Sequence, residues 1–189
     1  YRQTRSILHD TRNHYLTIQG YIEKKQYDTL SAYLTTALSD IQNTYTLFNT
    51  GNIVIDSMLS SYKTLADQHN IDFIDEINVS TDQIPLSDYD LCIILGNLLD
   101  NAMNACLHMQ KDNCYIKIRL LTTDDHKFCL FVKNPYSPAA RPEKFSGDLE
   151  HGYGIRNIEN TVNKYYGIMR ITINDAYKTN ILIPIRNDV

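Results

Sequence analysis

An oxygen-rich stripe marks one predicted helix of this chain. Apolar residues recur at helical spacing over residues 88–109, while Asn97, Asn101 and Asn104 follow each other at steps of four and three on another face, with Asp100 beside them. Amide and carboxylate oxygens are hard ligands that suit Mg2+, which proteins hold with a few oxygens together with substrate phosphates. The stripe therefore indicates a magnesium and phosphate site, with a solvated helix face as the alternative reading.

A pair of glycines marks a second candidate site. Gly152, Tyr153 and Gly154 come just before a helix predicted to begin at Ile155, after a long segment broken by proline. Glycine lets the backbone approach a ligand closely, and the first N–H groups of a helix attract anions. An ordinary helix start is the alternative. The chain has no GxxxxGK[ST] loop and no strand leading straight into the glycines, which excludes P-loop and Rossmann sites.

A histidine with an acidic neighbour is the third candidate. His9 is followed by Asp10, and Asn13 lies one helical turn further along on the face of His9. An unperturbed imidazole has a pKa of about 6.5, so it is largely neutral near pH 7 and has a lone pair free to attack phosphorus. The alternative is a polar helix surface that contains a histidine.

Two helices must position this histidine. Apolar spacing predicts one helix through Ile7 and Ile22 and a second from Leu30 to Phe48, joined by a polar turn into a helical hairpin over residues 1–50. A hairpin alone buries too little apolar surface. We therefore expect a homodimer in which a second copy completes a four-helix bundle.

Residues 52–189 carry the pattern of a second domain, an α/β sandwich with a mixed or antiparallel sheet, which makes the whole chain α+β. Ser87 followed by Asp90 predicts the start of the helix that carries the asparagines. The predicted helices are Ile53 to His69, Asp88 to Met109 and Ile155 to Tyr166. The predicted strands are Ile71 to Val79, Tyr115 to Leu121, Lys127 to Lys133, Ile168 to Ile173 and Thr179 to Ile185.

Composition excludes several classes of protein. The 189 residues are 43% apolar and 21% charged, which argues against disorder, and a net charge of -4 argues against sequence-independent nucleic-acid binding. No apolar run approaches the length of a membrane helix. The chain begins at Tyr1, so we expect a fragment of a longer protein. Four cysteines without C-x2-C spacing predict reduced core thiols in a cytosolic compartment.

The order of the three motifs resembles that of sensor histidine kinases in the GHKL superfamily. Residues 6–14 (Ser-Ile-Leu-His-Asp-Thr-Arg-Asn-His) resemble the H-box, residues 94–102 resemble the N-box, and residues 152–158 look like the second glycine box. The His-Asp pair, the Leu-Asp-Asn-Ala form of the N-box and the segment 132–135 look most like the AgrC-like peptide-pheromone quorum-sensing group.

The resemblance implies a role for the histidine motif. His9 would accept the phosphoryl group of ATP, Asp10 would take the imidazole proton or orient the ring, and Asn13 would orient a water for dephosphorylation of the partner. The partner would be a response regulator, whose aspartate receives the phosphoryl group. The family also implies a homodimer held at the cytoplasmic side of the cell membrane by a segment absent from this chain.

The resemblance also implies the ATP-binding residues. Asn101 would hold Mg2+ with Asn97 beside it, and residues 136–151 would form an ATP lid. Further contacts to ATP would come from Asp100, Asn104, Asn134, Gly152, Tyr153, Gly154 and Ile155.

One departure from the family keeps other functions open. The first glycine box, Asp-x-Gly-x-Gly, has no match, and Asn134 is the nearest counterpart of its adenine-binding Asp. An Asn offers both a donor and an acceptor, whereas an ionised Asp only accepts. A degenerate kinase-like scaffold that dimerises and binds a partner without turnover is therefore the main alternative, followed by an ATPase of the same superfamily.

Overall fold

The computed structural model describes residues 2–37, 47–109, 114–136 and 150–185. The chain divides into two compact units, residues 1–43 and 44–189. The sequence predicted domains at residues 1–50 and 52–189. Their predicted functions, dimerisation with phosphotransfer for the first and ATP binding for the second, stay predictions. None of the described helices is both long enough and apolar enough to span a bilayer.

The first unit contains two helices in contact, α1 (Arg2–Glu23) and α2 (Tyr27–Ala37). Lys25, in the turn between them, adopts a positive φ of 54°. The two helices are joined by a hydrogen bond between His14 Nδ1 and the Tyr33 hydroxyl, and the rings of Tyr21 and Tyr33 lie 5.8 Å apart. No described residue of α2 is buried. Apolar side chains are exposed on both helices, among them Leu16 and Ile22 of α1 and Tyr27 of α2.

The predicted end of the second helix is wrong at Phe48. Residues 38–46, which include Ile41 and Tyr45, lie outside the described part of the chain, but Phe48 is not helical. It packs against the core of the second unit, and its ring lies 5.2 Å from Lys63 Nζ. Packing against this core removes part of the aromatic ring from water, which favours this position for Phe48 over a helical one.

The second unit is built around a five-stranded sheet of order β1-β2-β3-β5-β4. The strands β1 and β2 are parallel and the other neighbours are antiparallel, so the predicted mixed sheet is confirmed. The elements in chain order are α3 (Ile53–Gln68), β1 (Asp72–Asn78), a 3-10 turn (Thr81–Gln83), α4 (Asp88–Leu107), β2 (Tyr115–Thr123), β3 (Lys127–Pro135), α5 (Glu150–Lys164), β4 (Ile168–Ile173) and β5 (Ala176–Pro184).

The core lies between the helices and one face of this sheet, which we call the inner face. Alternate residues of β2 and β3 are fully buried, as period-two side-chain alternation requires. The apolar stripe predicted for α4 faces them, and Leu91, Leu95, Leu98 and Ala102 are all buried. Each of the three leucines contributes about 1.5–3 kcal/mol through burial, so α4 is the central helix of the unit.

The four cysteines do not all lie in the core. Cys106 and Cys114 are buried, as predicted. Cys92 is exposed, because it lies on α4 next to Leu91 and points about 100° away from the buried stripe. The prediction of a core thiol is wrong for this residue.

A buried carboxylate joins the start of α4 to the end of α5. Ser87 caps α4, as predicted, by accepting from the Asp90 N–H. The Asp90 carboxylate, in a residue only 5% exposed, accepts from Lys164 Nζ and the Tyr165 hydroxyl, both at 2.6 Å, and from Ser87 Oγ at 2.8 Å. Burial opposes ionisation, but the hydrogen bonds from Lys164, Tyr165 and Ser87 prevail and lower the pKa of Asp90.

Replacing this carboxylate should destabilise the second unit in a pH-dependent way. Asp90→Asn should lower the free energy of unfolding near neutral pH by about 1–3 kcal/mol, because three donors lose a charged acceptor. Since the folded-state pKa is lowered, the stabilisation is fully present above about pH 4 and is lost as pH falls through the folded-state pKa. Urea denaturation across this range should therefore show the two proteins converging in acid.

Asp88→Asn is the matched control, since it removes the same charge from the same first turn of α4 at an exposed position. Equal losses of stability in the two variants would show that the helix dipole, and not the buried contacts of Asp90, is responsible.

Candidate functional site

A narrow cleft opens between α4, α5 and the strands β3, β4 and β5. Its enclosed volume is about 10 Å³, and the space including the open mouth is about 260 Å³. The lining residues are Leu98 and Asn101 of α4, Val132 and Asn134 of β3, Ile155 and Ile158 of α5, Met169 of β4, and Tyr177 and Thr179 of β5. An apolar cleft with a few fixed polar groups is the usual form of a small-molecule site.

Two buried polar residues stand on the β-strand side of this cleft. Asn134 is 4% exposed, and Thr179 is 2% exposed. They belong to neighbouring antiparallel strands, in which Asn134 lies opposite Tyr177 and Val132 lies opposite Thr179. The Asn134 Nδ2 group donates to the Pro135 carbonyl at 2.9 Å, which fixes the side-chain amide. The strand side therefore offers hydrogen-bonding groups between apolar surfaces, an arrangement that suits the edge of a flat heteroaromatic ring.

The asparagine stripe of α4 stands on the helical side. Asn101 lines the cleft, and Asn97 lies one turn earlier, where its Nδ2 donates to the Ile93 carbonyl at 2.7 Å. A Cβ atom on Gly154 would lie 2.9 Å from Asn97 Oδ1, so the glycine permits α5 to approach α4 closely at this point. The structure thus brings Asn101, Asn134 and Ile155 together in the lining of one cleft, while Asn97 and Gly154 lie close to each other without lining it.

The predicted start of α5 is corrected. The helix begins at Glu150 rather than at Ile155, so Gly152 and Gly154 lie inside it. The prediction was wrong because it took the two glycines as part of the preceding proline-containing segment and began the helix after the second glycine. The N–H of Gly154 therefore lies beyond the first turn, and what Gly154 provides here is space beside Asn97.

Other predicted site residues lie away from the cleft. Asp100 accepts a hydrogen bond from the Tyr62 hydroxyl of α3, and burial together with this bond raises the pKa of Tyr62. Asn104 is exposed, and its main-chain carbonyl accepts from His108 Nδ1 at 2.7 Å. Tyr153 is exposed on α5. The nucleotide roles predicted for these residues stay predictions.

The histidine motif belongs to the first unit. His9 and Asp10 lie in α1, as does Asn13, which is exposed and whose carbonyl accepts from Thr17 Oγ1 at 2.9 Å. Their roles also stay predictions. Most of the proposed ATP lid, residues 137–149, lies outside the described residues.

The sequence reasoning missed Thr179, Tyr177 and Met169. A signal for Thr179 was present, since it shares the alternation of Ile181 and Ile183 and so had to face the core as a polar side chain. Nothing local marked Tyr177 or Met169, whose place in the cleft depends on the pairing of β4 with β5.

Comparison with known families identifies the second unit. The model of the GHKL domain matches residues 86–184, more than half of the chain, from the residue before the Ser87 cap to the end of β5. The chain belongs to the GHKL domain family. The matched range includes the whole cleft, so the GHKL domain supplies every residue that lines it.

Solved structures share this fold at low sequence identity. The catalytic domain of histidine kinase ThkA, in a nucleotide-free form, is 19% identical over 72% of this chain and 95% of that chain, with a TM-score of 0.56. The mycobacterial sensor histidine kinase MprB is 17% identical over 70% of this chain and 94% of that chain, with a TM-score of 0.51. The histidine kinase domain of the Erythrobacter litoralis EL346 blue-light activated histidine kinase is 11% identical over 78% of this chain and 68% of that chain, with a TM-score of 0.52. No curated protein sequence matches the chain.

The close approach at Gly154 can be tested by adding a methyl group. In a helix, Gly→Ala alone adds about 0.8–1 kcal/mol of stability. Gly96→Ala in α4 should show most of that gain, because its Cβ would lie 3.4 Å from the terminal methyl group of Met58. Gly154→Ala should not gain stability, because the added Cβ must displace the Asn97 amide. Chemical denaturation measures both.

A double-mutant cycle assigns the difference to Asn97. In the Asn97→Ala background, Gly154→Ala should recover the helical gain, since the obstructing oxygen has been removed. The same loss with and without Asn97 would place the obstruction elsewhere in the GHKL domain.

Proposed function

We propose that this chain is the kinase core of an ATP-dependent protein-histidine kinase, with the cleft of the GHKL domain as its nucleotide site and His9 as its phosphoacceptor. The observation that carries the proposal is the cleft itself, which places buried Asn134 and Thr179 on its strand side and Asn101 on its helical side. One end suits a flat base and the other suits a phosphate-bound cation.

The adenine base would lie among the apolar side chains of the cleft. Val132, Ile158 and Met169 provide surfaces for its ring, and the Asn134 amide and the Thr179 hydroxyl lie where its polar edge would be. A site that hydrogen-bonds the edge of its ligand discriminates strongly, since a wrong ligand leaves buried polar groups unpaired. Asn134 then takes the place of the Asp that this chain lacks.

The donor set on α4 fits Mg2+. The amide oxygens of Asn101 and Asn97 are hard but neutral, so they suit a cation that arrives with the phosphates of ATP. Mg2+ held by Asn101 and Asn97 would neutralise charge on the transferred phosphoryl group. The part of the chain is to hold the nucleotide and the metal in position, which is the main protein contribution to phosphoryl transfer.

The phosphoacceptor would come from the first unit. A neutral His9 imidazole would attack the γ-phosphorus of ATP, the bond to the β-phosphate oxygen would break and ADP would leave, while Asp10 would accept the imidazole proton or orient the ring. Support comes from the sequence of the H-box and from the presence of α1 around it. The exposed apolar side chains of Leu16, Ile22 and Tyr27 support a homodimer, since they need a partner surface.

The downstream steps belong to the same proposal. His9 would pass the phosphoryl group to the aspartate of a response regulator, and Asn13, one turn away, would orient water in the reverse reaction. We assign the chain to the AgrC-like quorum-sensing group from the form of its H-box and N-box. A full-length protein anchored at the cytoplasmic face of the membrane follows from that assignment.

A scaffold without turnover is the second candidate. The observation that favours it is Asn134 in place of an Asp-x-Gly-x-Gly box. A protein that dimerises and binds a partner without hydrolysing ATP has no need of that box. Nucleotide binding and His9 labelling separate the two candidates.

Nucleotide binding should depend on Asn101. Asn101→Ala should weaken binding of ATP in the presence of Mg2+ by about tenfold or more, because the cleft loses its helical oxygen ligand. Isothermal titration calorimetry with and without Mg2+ measures this. Asn160→Ala is the matched control, since Asn160 is exposed on α5, does not line the cleft and has no predicted role in the site. An unchanged affinity in a folded Asn101→Ala protein would contradict the site.

Autophosphorylation should depend on His9. Incubation with labelled ATP should give an acid-labile, alkali-stable adduct that His9→Gln abolishes and His14→Gln retains. His14 serves as the control because its ring nitrogen bonds Tyr33 within the first unit. Label lost only in His14→Gln would reverse the assignment. A wild-type protein that binds ATP with Mg2+ but takes no label would support the scaffold.

A further inference from the structure

The sheet face opposite the helices carries a line of lysines. Lys117, Lys133 and Lys178 occupy directly opposite positions on the adjacent strands β2, β3 and β5. Each alternates with residues of the core, so each side chain stands on this second face, which we call the outer face. Like charges at directly opposite positions destabilise a sheet, so this arrangement has a cost that needs a reason.

Neighbouring groups offset only part of this charge. Lys133 Nζ lies 5.4 Å from the centre of the Tyr115 ring, and Lys178 Nζ lies 3.3 Å from an oxygen of exposed Asp175. Lys117 forms no ion pair with any residue that the structure describes. The outer face therefore keeps an excess of positive charge on a chain whose net charge is -4.

The next line of residues adds to the positive charge. Arg119, Phe131, Asn180 and Arg170 are opposite one another on β2, β3, β5 and β4. Arg119 is held by Glu76 of β1, with its Nε 2.7 Å from a carboxylate oxygen, whereas Arg170 is exposed. The aromatic ring of Phe131 thus lies in the middle of a basic surface.

A third line is apolar. Leu121, Cys129, Leu182 and Ile168 are opposite one another on the same four strands. Leu182 is 37% exposed and Ile168 is 67% exposed. This line lies four positions from the lysines along β2, β3 and β5, a distance of about 13 Å. In the described part of the second unit the helices pack on the inner face, so these side chains are left uncovered by them.

We propose that the outer face binds an acidic amphipathic helix of a partner protein, which lies across the strands. Three adjacent strands span two interstrand spacings, about 9.6 Å, and two turns of α-helix rise about 10.5 Å over seven residues. Acidic residues at i, i+4 and i+7 of such a helix therefore meet Lys117, Lys133 and Lys178 in turn. An apolar stripe beside them covers Phe131 and Leu182.

The same geometry argues against a lipid surface as the occupant. Lys117, Lys133 and Lys178 are only partly exposed, so their charges do not stand clear of the surface to meet a plane of lipid headgroups. A sheet also twists, and a twisted face follows a cylinder more closely than it follows a plane. The proposal does not depend on nucleotide binding.

The test uses a fluorescent synthetic helix that is stabilised by a side-chain staple. It carries Glu at i, i+4 and i+7 with leucines on the neighbouring stripe, and a second peptide of the same composition has these positions shuffled. Fluorescence anisotropy should show that the full chain binds the first peptide more tightly than the shuffled one. Binding should weaken as salt is added, because part of the attraction is between charges.

Variants localise the binding. Lys133→Gln removes the central charge and should weaken binding about tenfold, whereas Lys24→Gln removes the same charge from the first unit and should change nothing. The free Lys133→Gln protein should be at least as stable as wild type, since its two lysine neighbours lose a like charge. If Lys133 served only folding, Lys133→Gln would not bind the peptide more weakly while keeping its free energy of unfolding.

Three results would overturn the proposal. The first is equal binding of the ordered and shuffled peptides, and the second is unchanged affinity in Lys133→Gln. The third comes from sedimentation with phosphatidylcholine vesicles that contain or lack phosphatidylserine. Binding to anionic vesicles that requires Lys133, without peptide binding, would assign the face to a membrane surface instead.

Discussion

Burial of one stripe of α4 against the inner face of the sheet is the interaction on which the rest of the second unit depends. Leu91, Leu95 and Leu98 fix the rotation of the helix about its axis, because no other face of α4 is apolar enough to replace them. That rotation then decides the direction of every polar residue on the helix. Asn101 faces the cleft, and Asp100 meets Tyr62 of α3.

The second helix of the cleft meets α4 at two points, through a close approach near its start and through polar contacts at its end. Near its start, Gly154 leaves room for the Asn97 amide, and at its end Lys164 and the following Tyr165 bind the Asp90 carboxylate. A cleft between two helices needs such fixed points, because apolar packing alone tolerates sliding by a fraction of a turn. The walls of the proposed nucleotide site are thereby set by contacts outside it.

The two faces of the sheet have different chemistry for the same geometric reason. Period-two alternation sends Ile118 and Leu130 to the core and Lys117 and Lys133 to the other side. The inner face is satisfied by the helices. The outer face keeps a positive line and an apolar line, a combination that a purely solvated surface does not require.

The sequence by itself determined the elements whose signals are local. Ser87 and Asp90 marked the start of α4, the spacing of its leucines marked its buried face, and alternation marked the strands, because caps and periodicity are properties of neighbouring residues. The N-box asparagines were found in the same way, and two of the three lie at the cleft or beside it. Only the tertiary structure decided that Phe48 joins the second core, that Thr179 and Tyr177 complete the cleft, and that three lysines form a line. Those facts depend on strand order and register, which arise from packing between distant segments, whereas alternation gives only the face on which a residue lies and not its neighbours on other strands.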